Sequence, residues 1–199
     1  MKIIIVGATG TIGKVVAAEL GKRHEIIGVS AHNSPVKVDI TSAASIAAMF
    51  KAVGPFDALV SASGGGYWGS FEKMTEEDFY LGIKSKMMGQ INLVLEGRKY
   101  IRPNGSFTLT TGILAEDPVK DSCNLAVVNA AVNAFAVSAA MELGNGVRIN
   151  AVSPGVVEDS REKFGPIFPG HVPVSMERVV AGFVKSVEGM VTGQVIKVY

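Results

Sequence analysis

Gly7-Ala8-Thr9-Gly10-Thr11-Ile12-Gly13 decides the reading of this chain, because it follows the apolar run Lys2-Ile3-Ile4-Ile5-Val6 without a gap and opens a helical pattern at Ile12, Val15, Val16 and Leu20. A glycine triplet between a strand and a helix is the context in which backbone amides grip the diphosphate of a dinucleotide. Gly7 permits the tight turn, Gly10 lets the amides approach the diphosphate, and Gly13 lets the helix pack closely on the sheet. The unpaired amides and positive pole of the helix, with Thr9, Thr11 and Ile12 around them, then hold the anion.

Further strand-like runs lie at 25–29, 36–39, 58–61, 107–110, 147–152 and 194–198, in addition to 2–6. Several are continuously apolar, as strands covered on both faces must be. Helical periodicity lies between them, in the first helix and at Ile46, Met49, Phe50 and Val53. Thr75-Glu76-Glu77-Asp78 supplies a capping hydroxyl and an acidic residue three positions on, and predicts a helix over 75–96. Two more are predicted over 124–143 and 175–188. Strands alternating with such helices require right-handed crossovers, hence a parallel sheet with helices on both faces. The expected architecture is a single-domain α/β Rossmann-like doubly wound sheet over 1–199, with seven strands in the order 3-2-1-4-5-6-7. The least regular stretch, 155–173, is the candidate lid.

Composition narrows the function classes. The chain has 199 residues, enough for a substantial core without metals or disulfides. Its one cysteine, Cys123, excludes an intramolecular disulfide, and His24, His32 and His171 stand too far apart for metal-ligand spacing, so no metal is expected. Lys and Arg number 19 against 18 Asp and Glu, with no basic block, which argues against a nucleic-acid partner. No continuous apolar stretch reaches the roughly 18–20 residues of a membrane span, and the N-terminal apolar run meets Gly7 too early for a signal peptide. A cytoplasmic protein is expected. After the second strand, Ser30-Ala31-His32-Asn33 lacks the carboxylate that bonds the adenosine ribose of NAD, which favours NADP as cofactor over NAD.

Taken with the glycine turn, three further segments resemble the short-chain dehydrogenase/reductase family: Asp39-Ile40, Ser61-Ala62-Ser63-Gly64, and Arg148-Ile149-Asn150-Ala151-Val152-Ser153-Pro154-Gly155. The spacing Gly-x-x-Gly-x-x-Gly is that of the family's extended and atypical branches. The resemblance implies that Asp39 contacts the adenine, that Ala62 and Gly64 lie beneath the cofactor, and that Pro154, Gly155 and Val156 face the nicotinamide. Ile40, Ser63, Ser30 and His32 complete the expected cofactor set.

The family's proton-transfer chemistry needs a Tyr, a Lys four residues later, a Ser and an Asn. Aligned on Ala130-Ala131-Val132 and Glu142-Leu143, the Tyr position falls on Leu125 and the Lys position on Asn129. The Ser position falls on Gly112, beside Thr111, and the Asn position on Lys86. The chain's Tyr-x-x-x-Lys, Tyr80 to Lys84, falls outside those aligned positions. One reading keeps an oxidoreductase acting on a small carbonyl or alcohol, with Thr111 and Lys86 as the candidate catalytic residues and Lys84, Tyr67 or Tyr80 as alternative suppliers of charge or proton. A second is an NAD(P)-binding sensor that has lost turnover, and a third is a protein-interaction scaffold without nucleotide. The resemblance also implies a homodimer or homotetramer paired through the helices at 75–96 and 124–143.

Overall fold

Ile3, Ile4, Ile5 and Val6 are all buried, so neighbouring residues with side chains on opposite faces of one strand both find apolar cover. That condition places β1 (Lys2–Val6) at the middle of a sheet sandwiched by helices. The computed structural model describes residues 1–199, the side chain of Lys163 excepted. Its seven strands are β1, β2 (Glu25–Ser30), β3 (Val36–Lys37), β4 (Phe56–Ser61), β5 (Ile101–Thr110), β6 (Arg148–Pro154) and β7 (Val195–Val198). They form one sheet in the order β3-β2-β1-β4-β5-β6-β7, every pair parallel. The chain winds one way from β1 to β3 and the other way from β4 onward. The crevice therefore opens where β1 and β4 part, at the carboxyl ends of the strands.

Helices α1 (Thr11–Leu20), α2 (Ala43–Val53), α3 (Glu76–Gly82), α4 (Met88–Gly97), α5 (Cys123–Glu142), α6 (Arg161–Phe164) and α7 (Met176–Glu188) cover the two faces. On one face Phe50 of α2, Leu93 of α4 and Val132 of α5 pack on Leu59 and Phe107. On the other, Val16 and Leu20 of α1 and Phe183 of α7 pack on Ile3, Ile5 and Val60. By length and composition alone α5 could cross a membrane, yet its Val128, Val132 and Ala136 are fully buried and Asn124 and Asn129 interrupt its apolar character.

The expected strand order and element sequence hold, with differences at the edges. β3 stops at Lys37, two residues short of the reading, and leaves Asp39 in the connection to α2. β5 begins at Ile101, which pairs with Phe56 ahead of a register shift, and β6 runs through Pro154, which pairs with Val198. Thr75 and Asp78 form the anticipated reciprocal cap. The helix they open is not uniform: α3 passes through a π-helical turn, Ile83–Met87, before α4. Segment 155–173 contains α6 and two short 3₁₀ turns, tied back by a parallel bridge between Val157 and Val174.

Candidate functional site

Glycine at 7 and 13 is a steric requirement. Gly7 has φ +86°, and a Cβ there would stand 2.4 Å from the Ala62 carbonyl oxygen. A Cβ on Gly13 would stand 2.1 Å from the Gly7 oxygen, so α1 can approach the turn only without a side chain. α2, α3 and α7 are capped by the side chains of Ser42, Thr75 and Ser175. α1 follows Gly10 and, like α4, α5 and α6, has no side-chain cap; its first turn also lacks an acidic residue. Its first amides are left for an external acceptor, and its positive pole carries no internal counter-charge.

Two cavities flank this helix end. One, of about 610 Å³, lies towards β2 and β3. Gly7, Thr9 and Gly10 form one side of it, and Ser30 and His32 the end of β2. Asp39 and Ile40 face the segment Ala62, Ser63 and Gly64 across it. Asp39 is exposed and accepts from the Thr41 hydroxyl at 2.7 Å and the Thr41 amide at 2.9 Å. Those two bonds, the hydroxyl's first, hold its carboxyl below the ordinary aspartate range. Ile40 sits over Gly89, where a Cβ would meet it at 3.1 Å. Ser30 is buried, accepts from the Asn33 amide at 3.1 Å, and leaves His32 in solvent.

The second cavity, of about 260 Å³, lies towards β5 and β6. Ile12, Pro154, Gly155 and Val156 line it, together with Thr111, Gly112 and Asn129. Its outer wall is aromatic: Trp68 from the Gly-rich stretch after β4 meets Phe168 of the 155–173 arm at 6.1 Å between ring centroids. Of the residues expected to touch a dinucleotide, the first cavity gathers those of the phosphate and adenosine half, and the second gathers those of the nicotinamide half. Thr11 and Gly13 line neither wall. Gly13 acts through packing, while Thr11 is exposed in the first turn of α1.

The candidate proton-bearing residues separate clearly. Lys86 is buried in the π-helical turn and has no hydrogen-bond or ion-pair partner for its ammonium among the described residues. Burial pushes its pKa down to about 8. It lies against Gly64, where a Cβ would come within 2.9 Å of the Lys86 Cα and 3.4 Å of its Cδ. The buried side chain of Gln90 fixes this turn to the end of β5, donating to the Lys86 carbonyl at 3.2 Å and exchanging bonds with Thr110 at 2.8 and 2.9 Å. Lys84 points elsewhere, its Nζ 5.6 Å over the half-exposed Tyr80 ring. Tyr67 folds over Gly69 and, like Tyr80, Lys84 and Lys86, lines neither of the two cavities, which Ser85 alone of this turn reaches. Thr111 is buried and its hydroxyl donates to the Val152 carbonyl at a long 3.4 Å.

Residue spacing did not single out Asn129 as a functional residue. It is buried in the wall of the second cavity, and its Oδ1 has no hydrogen-bond partner among the described residues. Its place at the family's Lys position was the available signal. Phe164 and Phe168 were likewise visible only as apolar residues of an irregular segment. Among the described residues no group of three His, Cys, Asp or Glu side chains is arranged to hold a metal ion.

Four similarities bear on this geometry. The family model described as Enoyl-(Acyl carrier protein) reductase matches residues 7–170. The crystal structure of the protein lin1944 from Listeria innocua is 46% identical, with a TM-score of 0.98 and coverage of 100% of both chains. A crystal structure of a small-chain dehydrogenase in complex with NADPH is 25% identical, with a TM-score of 0.88 over 100% of this chain and 96% of that one. The short-chain dehydrogenase/reductase ucsE of Acremonium sp is 31% identical over 100 residues, 49% of this chain. The matched stretch spans only 38% of that protein's length.

Proposed function

The chain belongs to the short-chain dehydrogenase/reductase family, and from that membership we propose that it is an oxidoreductase that binds NADP, with NAD as the weaker alternative, and acts on a small carbonyl or alcohol. One observation carries the proposal: the uncapped start of α1 stands between two cavities that divide the expected cofactor contacts into two halves. The residues present fit a dinucleotide, since the close packing that Gly7 and Gly13 permit leaves the first amides of α1 open beside both cavities. Gly7, Thr9, Gly10, Thr11, Ile12 and Gly13 would hold the diphosphate. Ser30, His32, Asp39 and Ile40 would hold the adenosine half. Ala62, Ser63 and Gly64 would lie beneath it, and Pro154, Gly155 and Val156 beside the nicotinamide. The absence of a carboxylate at Ser30 to Asn33 supports NADP. When bound, the reduced cofactor supplies the hydride.

The chain's own residues do the rest. Lys86 presents its ammonium to the nicotinamide ribose from beneath Gly64, and Thr111 turns its loosely held hydroxyl to the substrate oxygen. The apolar walls of the second cavity exclude water. A second copy of the chain belongs to the proposal: Leu95 of α4 and Val127, Val137 and Met141 of α5 are exposed, and the small residues along α5 allow a close helix pairing. A cytoplasmic location is supported by the free thiol of Cys123.

A thermal-shift titration with NADPH and NADH tests binding, because a ligand taken up only by the folded state raises the melting temperature. Loss of nicotinamide absorbance with a carbonyl panel then tests turnover. A second reading, an NAD(P)-binding sensor, is favoured by Leu125 at the proton-donor position; it predicts the thermal shift without any turnover. No shift with either nucleotide would leave only a scaffold.

A further inference from the structure

We infer that this site takes a neutral, flat-ringed ketone and its alcohol, with the substrate oxygen held by the Asn129 carboxamide. The inference rests on the oxidoreductase reading and names its substrate class.

Charge is decided by the wall of the second cavity, which contains no Asp, Glu, Lys, Arg or His. A carboxylate or phosphate entering it would lose its hydration with nothing to replace it. Size is decided by the volume: about 260 Å³, shared with the nicotinamide placed beside Pro154, Gly155 and Val156, leaves room only for a small substrate. Shape is decided by the rings. Trp68 and Phe168 are tilted by 45° to each other, and Phe168 is braced edge-on by His171 at 5.3 Å. A flat ring gains from offset or edge contacts with such faces beyond its buried area.

Asn129 decides where the oxygen goes. Thr111, Asn129 and Ser160, with the indole N–H of Trp68, supply the polar side-chain atoms of the wall, and the Thr111 hydroxyl, held only by its long bond to Val152, can turn to the same oxygen. The Asn129 Oδ1 is buried without a donor among the described residues. Gly112 keeps that edge open, since even a Cβ there would stand 3.5 Å from Nδ2. An amide oxygen left without a donor in an apolar wall is costly, and the hydroxyl of the alcohol relieves it. The ketone accepts from Nδ2, and the alcohol donates its O–H to Oδ1. In the reducing direction, hydride from the reduced nicotinamide forms the new C–H bond as the C=O π bond breaks. A proton from solvent completes the alcohol.

The test uses NADPH-loaded protein and four probes: α-tetralone, its oxygen-free analogue tetralin, the straight-chain 2-decanone, and a 2-keto acid. Binding is followed by ligand-observed NMR and turnover by nicotinamide absorbance. α-Tetralone should bind about tenfold tighter than 2-decanone, and the keto acid should not displace it. Asn129→Leu should weaken α-tetralone about tenfold and leave tetralin unchanged, a difference that mere disruption of the pocket cannot produce. Preference for the keto acid or the linear ketone, equal loss of both ring probes, or binding of no ring probe would overturn the inference while leaving the oxidoreductase reading intact. Failure of NADPH itself to raise the melting temperature would instead remove that reading.

Discussion

Replacing Lys86 by Met should make the protein more stable and its cofactor affinity weaker. The gap between the ordinary lysine value of 10.5 and about 8, at about 1.4 kcal/mol per pKa unit, corresponds to about 3 kcal/mol spent on burying the ammonium. Below pH 8 the lysine is protonated in both folded and unfolded states and the whole cost is present. Between pH 8 and 10.5 the unfolded chain holds a proton that the folded one has released, so stability rises with pH through that window. Lys86→Met removes the cost and its pH dependence together. For a chain of this size the gain corresponds to roughly 6–12 °C in melting temperature at pH 7, read by calorimetry and by urea titration at pH 7 and 9.5. On the proposed placement of its ammonium beside the nicotinamide ribose, the same substitution also removes a charge-assisted bond worth roughly ten- to a hundredfold in NADPH affinity. A variant less stable than the parent at pH 7 would refute the desolvation argument. One that keeps full NADPH affinity would refute the placement of the ammonium beside the ribose.

Other substitutions separate packing from chemistry. Gly13→Ala forces a Cβ to within 2.1 Å of the Gly7 oxygen; about 1–3 kcal/mol of stability and the NADPH-induced thermal shift should both be lost. Thr75→Ala removes the cap of α3 and should cost about 1 kcal/mol by chemical denaturation, with NADPH affinity unchanged. Thr111→Val keeps the shape of the cavity wall and should lower kcat about tenfold with the Kd for NADPH unmoved, as steady-state kinetics and calorimetry would show.

Chain-local features were legible from sequence. The run Lys2 to Val6 reads as a central strand because nothing else hides four adjacent apolar side chains, and alternation of strands with helices then fixes the winding. The capping pair Thr75 and Asp78 is equally local. Edges fail where pairing is irregular: the strand read at 107–110 begins at Ile101, opposite Phe56, and resumes its pairing at Ser106 after a register shift. Lys84 and Lys86, two apart in a helix, had to point different ways. Which one lies inside is set by the π-helical turn and by the approach of Gly64, neither of which leaves a periodic signal. Asn129 shows the same limit, since its unpartnered oxygen is a property of what β5 and β6 bring to α5. The glycine turn was the most legible part of the site because its requirement is steric and local.

The central claim is that the opening amides of α1 hold a diphosphate. A crystal structure of the protein soaked with NADPH measures this directly. The account predicts diphosphate density against the amides of Thr11 and Ile12, with the adenine beside Asp39 and the nicotinamide beside Val156. Crystals saturated with NADPH that show no density there, or that hold the nucleotide elsewhere on the surface, would contradict it.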